Sequence, residues 1–517
     1  MPCDIKKPIV MTLMDMLEKN KNQYPLKTAV ICEQTSLSWK DLHDQVMKLA
    51  HYLVSRGVSK GDRIAFMMDT KGPDLVIGFL ATAACGGIVV PVDCNQPDHY
   101  IHHLLSMITP SAAIISERVL NRLEPSEFDF PEISIVIYGK SQGGLKSQQN
   151  EKKARPFLAD ILNTPGLVID HPPVTIDPED VIYFNLTSGT TGFPKCAINT
   201  HAVIYWNTVS AVEQLSLTFE DIHLCMFPPA THPHEIFARP LFLGGTMVLT
   251  DHIAPRSLTS VIEDHQVTFM MAIAPIYGNL TKYHKNTDFK FSTLRTAESG
   301  GMHLDPITAA EFRNKFGFPI IPVWGSTETA GIVLAMPLDI NSKPGSCGIP
   351  GRYYEVAIVD EKGRRTGPCN IGEMIVRGKG VCTEYYQNDQ ENLKNFKNGW
   401  YYTNDMFFQD NDGFFYFAGR QNGMMKVGGL KVFPVEIEDL LIQHPAIKEI
   451  CITRAPDPIH GEIPKAIIVL EEGACLTLKE LREFCTPRIA AYKIPKLLEF
   501  RTSLPRSPVG KLLVNQL

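Results

Sequence analysis

The 517-residue chain contains 12 cysteines, but no two of them have the C-x-x-C spacing. That absence argues against a zinc-ribbon site, because the ligands of such a site come in closely spaced pairs. A disulfide framework is not expected either, since a chain of this length buries hydrophobic cores of its own. We therefore expect reduced, mostly structural cysteines, which favours the cytoplasm.

The chain also lacks an excess of positive charge. Its 50 Lys and Arg residues are outnumbered by 56 Asp and Glu residues, and the formal net charge is -6. A strongly positive surface is what attracts nucleic acid or an anionic membrane, so we expect no nucleic-acid partner. Residues 1–20 mix charges with short apolar runs and lack the pattern of a secretory signal.

One uncharged run, residues 75–92, reaches the length at which a membrane-spanning helix must be considered. Gly86, Gly87 and Pro91 interrupt this run. Its first part predicts a buried helix and its last part, IVVPV, a short buried strand. The sequence therefore predicts no transmembrane segment.

Helical and strand-like stretches alternate along the first part of the chain. Residues 39–56 have helical spacing, and residues 63–67, 112–115 and 135–138 form short apolar runs typical of buried strands. Such alternation predicts α/β layers with parallel strands. Around residues 353–377 the apolar pattern alternates between glycines, which indicates a more β-rich subdomain.

We expect a domain boundary in the turn-rich stretch at residues 419–423, because a length of chain close to that of a small domain follows it. The predicted fold is α/β. Residues 1–421 form a large multi-layer N-terminal domain with parallel sheets and a β-rich subdomain, and residues 422–517 form a small mobile α+β C-terminal domain.

The strongest functional signal is the segment Thr187-Ser188-Gly189-Thr190-Thr191-Gly192-Phe193-Pro194-Lys195, which follows a strand-like run. Its glycines let backbone N–H groups turn toward an anion. Its hydroxyls and its lysine can all donate hydrogen bonds to phosphate oxygens. Order and spacing differ from those of the Walker loop, so the sequence predicts a phosphate-binding loop of another kind.

This segment closely resembles the phosphate-binding signature of the adenylate-forming superfamily, which includes acyl-CoA synthetases, adenylation domains of peptide synthetases and luciferases. Further matches follow in the family's order over nearly the whole chain. They lie at residues 57–62 with 83–93, 299–301, 324–328, 401–405, 419–438 and 505–511. Three positions depart from the family pattern: Asn404 stands where glycine is usual, Asn422 where aspartate is frequent, and Val514 where arginine is frequent. Asparagine tolerates a left-handed backbone better than most residues, so the turn can survive.

The resemblance implies binding sites for ATP and Mg²⁺. Thr187 and Glu328 are the implied metal ligands, because Mg²⁺ prefers hard oxygen ligands and bridges phosphates. Asp405 is the implied ribose ligand, and Arg420 contacts the nucleotide or anchors the hinge. The remaining nucleotide-binding residues are expected to be Thr187, Ser188, Gly189, Thr190, Thr191, Gly192, Lys195, Gly300, Gly301, Trp324, Gly325, Ser326 and Thr327.

Lys511 is the implied catalytic lysine of the first step, with Glu328 and His232 as further catalytic residues. A lysine ammonium beside the α-phosphate stabilises the charge that builds there in the transition state. For the second step, the small domain is expected to turn about Asn422. Lys426, Gly428 and Gly429 would then line a pantetheine tunnel, since glycines suit the close approach of a thin chain.

The acid is expected near residues 231–235, 274–277 and 325–332. His232 or His234 is the candidate beside the carboxylate, with His232 favoured. Glu235 is the only nearby acid that could match the aspartate with which amino-acid-activating relatives hold an α-amino group, and the match is poor. We therefore favour a small non-amino carboxylic acid, aryl or aliphatic.

The predicted activity is ATP-dependent formation of an acyl-AMP followed by transfer to the thiol of coenzyme A. Three alternatives stay open at this point: an enzyme that loads a separate acyl carrier protein, a non-catalytic homologue that binds nucleotide or acyl ligand, and a luciferase-like oxygenase. Retention of Lys195, Glu328, Asp405 and Lys511 argues against the non-catalytic alternative. The chain is expected to be a monomer or a homodimer.

Overall fold

The computed structural model describes residues 9–123, 135–139, 158–163, 171–188, 194–338, 343–506 and 512–517. Most helices of these ranges connect strands of parallel sheets. The helices are α1 (Leu13–Gln23), α2 (Trp39–Ser55), α3 (Pro73–Ala84), α4 (Asp98–Ile108), α5 (Glu117–Leu123), α6 (Leu158–Leu162), α7 (His201–Gln214), α8 (Ala238–Leu243), α9 (Pro255–Asp264), α10 (Ala274–His284), α11 (Pro306–Phe316), α12 (Asp389–Asn395), α13 (Pro434–Leu441) and α14 (Leu478–Cys485).

The strands form three sheets. They are β1 (Thr28–Cys32), β2 (Thr35–Ser38), β3 (Arg63–Met67), β4 (Ile88–Pro91), β5 (Ala112–Ser116), β6 (Ile135–Gly139), β7 (Val181–Ser188), β8 (Pro194–Thr200), β9 (Ile222–Cys225), β10 (Thr246–Val248), β11 (Phe269–Ala272), β12 (Thr296–Ser299), β13 (Ile320–Ser326), β14 (Gly331–Ala335), β15 (Ser346–Pro350), β16 (Tyr354–Val359), β17 (Gly372–Gly378), β18 (Phe396–Lys397), β19 (Trp400–Gln409), β20 (Phe415–Arg420), β21 (Met425–Val427), β22 (Leu430–Val432), β23 (Ile447–Asp457), β24 (Gly461–Leu470) and β25 (Leu497–Phe500).

The first sheet has the strand order β6-β5-β3-β4-β7-β8. Its pairs are parallel except the last, β7 with β8. Every residue of β4 and β5 is buried, as expected for parallel strands that are covered on both faces. The parallel layers predicted from the alternating pattern are confirmed. β7 carries the chain to the carboxyl edge of this sheet, where the predicted phosphate loop begins.

The longest sheet changes character along its length. Strands β10, β9, β11, β12 and β13 pair in parallel, whereas β14, β15, β20, β19, β17 and β16 continue the sheet in antiparallel pairs. The antiparallel part is the predicted β-rich subdomain. The change falls between β13 and β14, and the turn between them carries Glu328. Ligands of α/β sheets bind beyond the carboxyl ends of parallel strands, so this turn is well placed for a site.

The last sheet belongs to the end of the chain. It has the order β22-β21-β24-β23, with β25 parallel to β24. Helices α13 and α14 pack on it around a separate hydrophobic core that includes Ile437, Ile452 and Leu481. The predicted boundary between residues 421 and 422 lies in the turn Gln421–Gly423, just before β21. It stays a prediction.

The uncharged run at residues 75–92 divides as predicted into a buried helix, α3, and a buried strand, β4. Gly86 makes the turn between them with φ +73°, and a Cβ there would come within 2.8 Å of the Lys60 side chain. Among the described residues, a helix with the length and apolar character needed to span a bilayer is not found. The described cysteines form no disulfide bond.

Candidate active site

The predicted phosphate loop connects two paired strands. β7 ends at Ser188 and β8 begins at Pro194, and the antiparallel register places Thr187 opposite Lys195. Both residues therefore lie at the base of the loop. The structure does not describe the loop residues Gly189, Thr190, Thr191 and Gly192, the Ser188 side chain, or Lys511 near the end of the chain. The roles of these residues stay predictions.

Lys195 is held by a carboxylate. Its Nζ lies 2.7 Å from Glu391 Oε2 and 4.7 Å from the ring centroid of Tyr385. Helix α12 presents Glu391, which also accepts a hydrogen bond from Asn395. Both members of the ion pair are largely buried, so the ammonium is positioned before any phosphate arrives. A bound phosphate would compete with Glu391 for this charge.

Glu328 lies in the 3₁₀ turn Thr327–Thr329 and is only 5% exposed. The Tyr385 hydroxyl donates to Glu328 Oε1 at 2.7 Å, and Tyr401 also donates to this carboxylate. Burial, and then the charge of Glu328, raise the pKa of Tyr385 well above its usual range. Both phenols therefore stay protonated donors. Tyr385 thus links the predicted metal ligand to the lysine of the phosphate loop.

The donor set near Glu328 suits Mg²⁺. The described residues contain no group of three or more His, Cys, Asp and Glu side chains that could hold a metal ion unaided. Mg²⁺ commonly binds through one or two carboxylates together with substrate phosphates and water. A single carboxylate, Glu328, with the Thr187 hydroxyl at the base of the phosphate loop, therefore fits a magnesium bound along with ATP.

A cavity of about 500 Å³ is lined in part by Val323, Trp324 and Gly325 of β13, the strand that precedes the turn of Glu328. At its wall, Trp324 Nε1 donates to Asp405 Oδ2 at 2.9 Å, and Arg420 Nε lies 2.7 Å from Asp405 Oδ1. Asp405 is buried, whereas the Arg420 side chain is 66% exposed. Asp405 and Arg420 are opposite each other on β19 and β20. The cavity joins predicted nucleotide residues from four motifs, including Gly301 of the motif at residues 299–301.

Backbone conformation or close packing explains why glycine occupies three of the predicted nucleotide-binding positions. Gly301 has φ +77°. A Cβ on Gly300 would come within 3.0 Å of Val323, and a Cβ on Gly325 within 2.2 Å of the Gly331 carbonyl oxygen. The close approach of β13 and β14 thus excludes a side chain at Gly325. The next residue, Ser326, donates its backbone N–H to the Thr329 hydroxyl and begins the turn that carries Thr327 and Glu328.

Asn404 adopts the left-handed conformation anticipated for it, with φ +58°. Its backbone N–H donates to Glu373 Oε1 at 3.0 Å, and its side-chain amide donates to Asn395 Oδ1 at 3.1 Å. The turn before Asp405 is therefore kept without the usual glycine. The asparagine adds a contact to α12, the helix that also carries Glu391.

His232 lies beside strand β7. Asn185 Nδ2 is 3.1 Å from His232 Nδ1. An amide N–H₂ group only donates, so Nδ1 accepts and the proton of a neutral His232 is on Nε2. Asn185 precedes Thr187 by two residues, which places both on the same face of the strand. His232 is thereby held beside the strand that leads to the phosphate loop, with its ring oriented by Asn185.

His234, the alternative candidate, is fully buried. Its Nε2 donates to the Ala330 carbonyl at 2.9 Å, and its ring packs 5.4 Å from that of Tyr183. Burial, assisted by the Arg239 charge, lowers the pKa of His234 to about 4, so the ring is neutral at physiological pH. A structural carbonyl therefore occupies Nε2 of His234, and His232 remains the better candidate beside the carboxylate.

Glu235 belongs to a buried ionic network. Arg239, 2% exposed, donates to Glu235 Oε2 at 2.9 Å and also pairs with Glu298. Burial raises the pKa of Glu298 to about 7, even though Arg239 opposes the shift. The second oxygen of Glu235 faces Gly331, where a Cβ would come within 2.3 Å. The network joins the loop of His232, the strand before Gly300 and the strand after Glu328.

The glycines assigned to the pantetheine tunnel form a tight turn. Val427 pairs with Leu430, so Gly428 and Gly429 are the two loop residues of the β21–β22 hairpin. Their φ angles are +58° and +83°, the combination that a type I′ turn requires. Lys426 is exposed, and its backbone N–H donates to Glu462. The turn geometry alone accounts for the glycines, and the tunnel stays a prediction.

Two contacts connect the hinge region with its surroundings. The carbonyl oxygen of Asn422 accepts a hydrogen bond from Arg454 at 2.6 Å. His303, on the cavity wall, has its Nε2 2.8 Å from Asp439 of helix α13. The cavity is therefore linked directly to helix α13 of the C-terminal region.

Several residues of this site carry no local sequence signal. Tyr385, Glu391, Arg239 and Glu298 are brought in by contacts between chain segments that are far apart in sequence. Asn185 is different, because a polar residue two positions before Thr187 in a strand must share its face. Strand periodicity could have identified it.

Known proteins match nearly the full length of the chain. The model of the AMP-binding enzyme family matches residues 17–386, and that of the AMP-binding enzyme C-terminal domain matches residues 436–511. The long-chain-fatty-acid–CoA ligase of Bacillus subtilis is 29% identical, over 98% of this chain and 94% of that protein. The feruloyl-CoA synthase of an Amycolatopsis species is 27% identical, over 95% of each chain.

Solved structures show the same fold. An anthranilate CoA ligase in complex with anthranoyl-AMP superposes with a TM-score of 0.87 at 24% identity, covering 98% of this chain and 96% of that one. The o-succinylbenzoate CoA synthetase of Bacillus subtilis gives 0.81 at 25% identity, with 97% of each chain covered. The predicted family and fold class are confirmed: the chain belongs to the AMP-binding enzyme family.

Proposed function

We propose that this protein is an AMP-forming acid–CoA ligase. One observation supports the proposal: Lys195, Glu328 and Asp405, which come from three distant motifs, are each held by a largely buried partner, and Tyr385 joins Lys195 to Glu328. The curated relatives are themselves named as CoA ligases for fatty, aryl and hydroxy acids. A chain that only bound a nucleotide would not need all three groups together.

The reaction has two steps. First, an oxygen of the substrate carboxylate attacks the α-phosphorus of ATP, the new P–O bond forms, and pyrophosphate leaves. The resulting acyl-AMP is then attacked at its carbonyl carbon by the sulfur of coenzyme A. A C–S bond forms as the C–O bond to AMP breaks, and the thiol proton is released. ATP is thereby converted to AMP and pyrophosphate.

The residues of the site have separate roles in these two steps. Asp405 accepts hydrogen bonds from the ribose hydroxyls, and Lys195 moves from Glu391 to the phosphates. His232 donates from Nε2 to the acid's carboxylate, since Asn185 holds its other nitrogen. Lys511 stabilises the charge on the α-phosphate. Magnesium, held by Glu328 and Thr187 together with phosphate oxygens, would neutralise phosphate charge.

The acid is a small carboxylic acid without an α-amino group. Glu235, the acidic candidate for such a group, is paired with Arg239 inside the protein. The thiol is that of coenzyme A, and a separate acyl carrier protein is the alternative acceptor. We place the enzyme in the cytoplasm, as a monomer or a homodimer.

The test is acid-dependent release of pyrophosphate across a panel of carboxylic acids, with and without coenzyme A. We expect acyl-CoA to accumulate in step with AMP. Lys511→Ala should slow adenylate formation by roughly 10²–10³-fold but spare transfer from a preformed adenylate. Lys479→Ala, at an exposed lysine of the same domain, is the control. Adenylate formation without consumption of coenzyme A would refute the ligase and favour the carrier protein.

A further inference from the structure

Buried polar atoms without partners gather next to His232. Tyr183 Oη, Asn185 Oδ1 and His234 Nδ1 are each shielded from solvent, and none of them has a hydrogen-bond partner among the described residues. Buried polar groups nearly always find a partner, because leaving one unpaired is costly. Three such atoms in one place indicate a position where a ligand supplies the missing bonds.

The contacts show that these atoms belong to one cluster. Tyr183, Asn185 and Thr187 are two residues apart on β7, so their side chains lie on the same face of the strand. The Tyr183 ring contacts His234 at 5.4 Å, Asn185 contacts His232 at 3.1 Å, and the two histidine rings are 6.0 Å apart. The cluster is therefore continuous from the phosphate loop inward.

The position of the cluster suits the acyl body rather than the nucleotide. Under the proposed function, the carboxylate would meet the α-phosphorus near Thr187 and His232, and the base and ribose would occupy the cavity lined by Trp324 and Asp405. The acyl body then extends the other way, along β7 past Asn185 to Tyr183. At about 3.3 Å per residue, that path covers roughly 13 Å from Thr187.

The hydrogen-bonding character of the cluster specifies the ligand group. His234 Nε2 donates to a carbonyl, so its Nδ1 is an acceptor, as is Asn185 Oδ1. Tyr183 brings one O–H donor. Glu235 nearby is already neutralised by Arg239, so no unpaired negative charge calls for a cation. A substrate hydroxyl matches this set, because it donates to one acceptor and accepts from Tyr183.

We propose that the enzyme selects carboxylic acids whose acyl group carries a hydroxyl, bound by Tyr183, Asn185 and His234. This inference rests on the proposed ligase function and specifies its substrate class. Sites built to hydrogen-bond a substrate hydroxyl discriminate strongly against the analogue that lacks it, since their buried groups are then left unpaired.

The experiment compares matched acids with the full-length enzyme. Pyrophosphate release is measured for para-hydroxyaryl and ω-hydroxyalkyl acids beside analogues that carry hydrogen, methyl or ammonium at the same position. We expect kcat/KM for the best hydroxy acid to exceed that of its unsubstituted analogue by at least about tenfold. Equal or better use of the unsubstituted or methylated acid would overturn the inference, and so would a preference for the ammonium acid.

Two variants assign the selectivity to the cluster. Tyr183→Phe removes only the hydroxyl and should collapse the preference for the hydroxy acid toward parity. Tyr205→Phe, at a buried tyrosine on α7 outside the cluster, should retain it. The wild-type panel decides the matter even if a variant fails to fold. If no acid supports pyrophosphate release, the ligase function itself has failed. If acids react without a preference for the hydroxyl, the ligase function stands and only this inference has failed.

Discussion

The charged groups on the proposed nucleotide side and the neutral groups on the proposed acid side differ in how their polar atoms are paired. On the nucleotide side, Lys195, Glu328 and Asp405 each have a protein partner at 2.9 Å or less. On the acid side, Tyr183, Asn185 and His234 each leave one buried polar atom without a partner among the described residues. All three residues of the first group are charged, whereas the second group is neutral.

The difference follows from the cost of burial. An unpaired buried charge costs far more than an unpaired neutral group, so charges that wait for ATP must be held by counter-charges in the meantime. ATP brings its own charges and can displace them. Neutral groups can remain unpaired at a lower cost and gain a partner when the acid binds. A protein can therefore leave a neutral subsite open, whereas it must keep a charged one occupied.

The most damaging change should be Glu328→Gln, at the boundary between the two sides. The amide can still accept from Tyr385 and Tyr401, so the turn should stay folded, but the negative charge for magnesium is lost. We expect adenylate formation to fall by roughly 10²–10³-fold, because such a metal contributes several kcal/mol to transition-state stabilisation. Pyrophosphate release measured against Mg²⁺ concentration checks this.

Tyr385→Phe is the matched control for that change, because it removes one hydrogen bond and keeps the charge of Glu328. We expect a loss of roughly tenfold or less, in line with one hydrogen bond to a charged group. A Glu328→Gln enzyme with an unaltered Mg²⁺ requirement would remove this carboxylate from the metal site.

Asp405→Asn tests the proposed nucleotide side without changing the proposed acid side. Asparagine can still accept from Trp324, but the ion pair with Arg420 and the charged acceptor for ribose are lost. We expect the KM for ATP to rise about 10–100-fold, since a hydrogen bond to a charged group contributes about 1.5–3 kcal/mol. The KM for the acid should not change. Asp360→Asn, in an exposed turn of the same subdomain, is the control, and a rise in both KM values would contradict the division.

His303 on the cavity wall also has a charged partner, Asp439 of helix α13. The strength of this contact should depend on pH. Burial lowers the pKa of His303, but the hydrogen bond with Asp439 and the charges of Asp439, Asp305 and Glu438 outweigh it, so the pKa is raised above 6.5. The stabilisation is therefore complete below pH 6.5 and is lost as pH rises through the raised pKa.

His303→Gln measures that contribution. Both side chains of the pair are partly exposed, so we expect the wild type to gain only about 0.2–1 kcal/mol from it. The Tm difference between wild type and variant should be largest near pH 6 and should shrink toward pH 8.5. A difference independent of pH would show that the contact is not an ion pair.

Sequence reasoning predicted those parts of the molecule that follow from local order. The alternating apolar runs predicted the parallel sheets, and the interruptions at Gly86 and Gly87 separated α3 from β4. The ordered motifs predicted that Trp324, Asp405 and Arg420 belong to one site, and the structure brings these three together. Each of these predictions needed only residues that are close in sequence or a family pattern.

The partners of those residues could not be predicted in this way. Lys195 and Glu391 are 196 residues apart, and Arg239 and Glu298 are 59 apart. Ion pairs of this kind depend on how whole sheets and helices dock, which no short pattern encodes. The glycines at 428 and 429 show the opposite problem. Local turn geometry explains them fully, so their presence alone says little about a ligand.

The smallest effect should come from Asn404→Gly, which restores the residue usual in the family. Glycine adopts φ +58° without strain, and its only loss is the hydrogen bond to Asn395 on α12. We expect a change of about 1 kcal/mol or less in the free energy of unfolding and an unchanged KM for ATP, measured by denaturant unfolding and pyrophosphate release. Asn404→Val, which is strained at positive φ, should destabilise more and raise the KM by displacing Asp405. If valine were tolerated as well as glycine, the left-handed turn would not be what positions the ribose carboxylate.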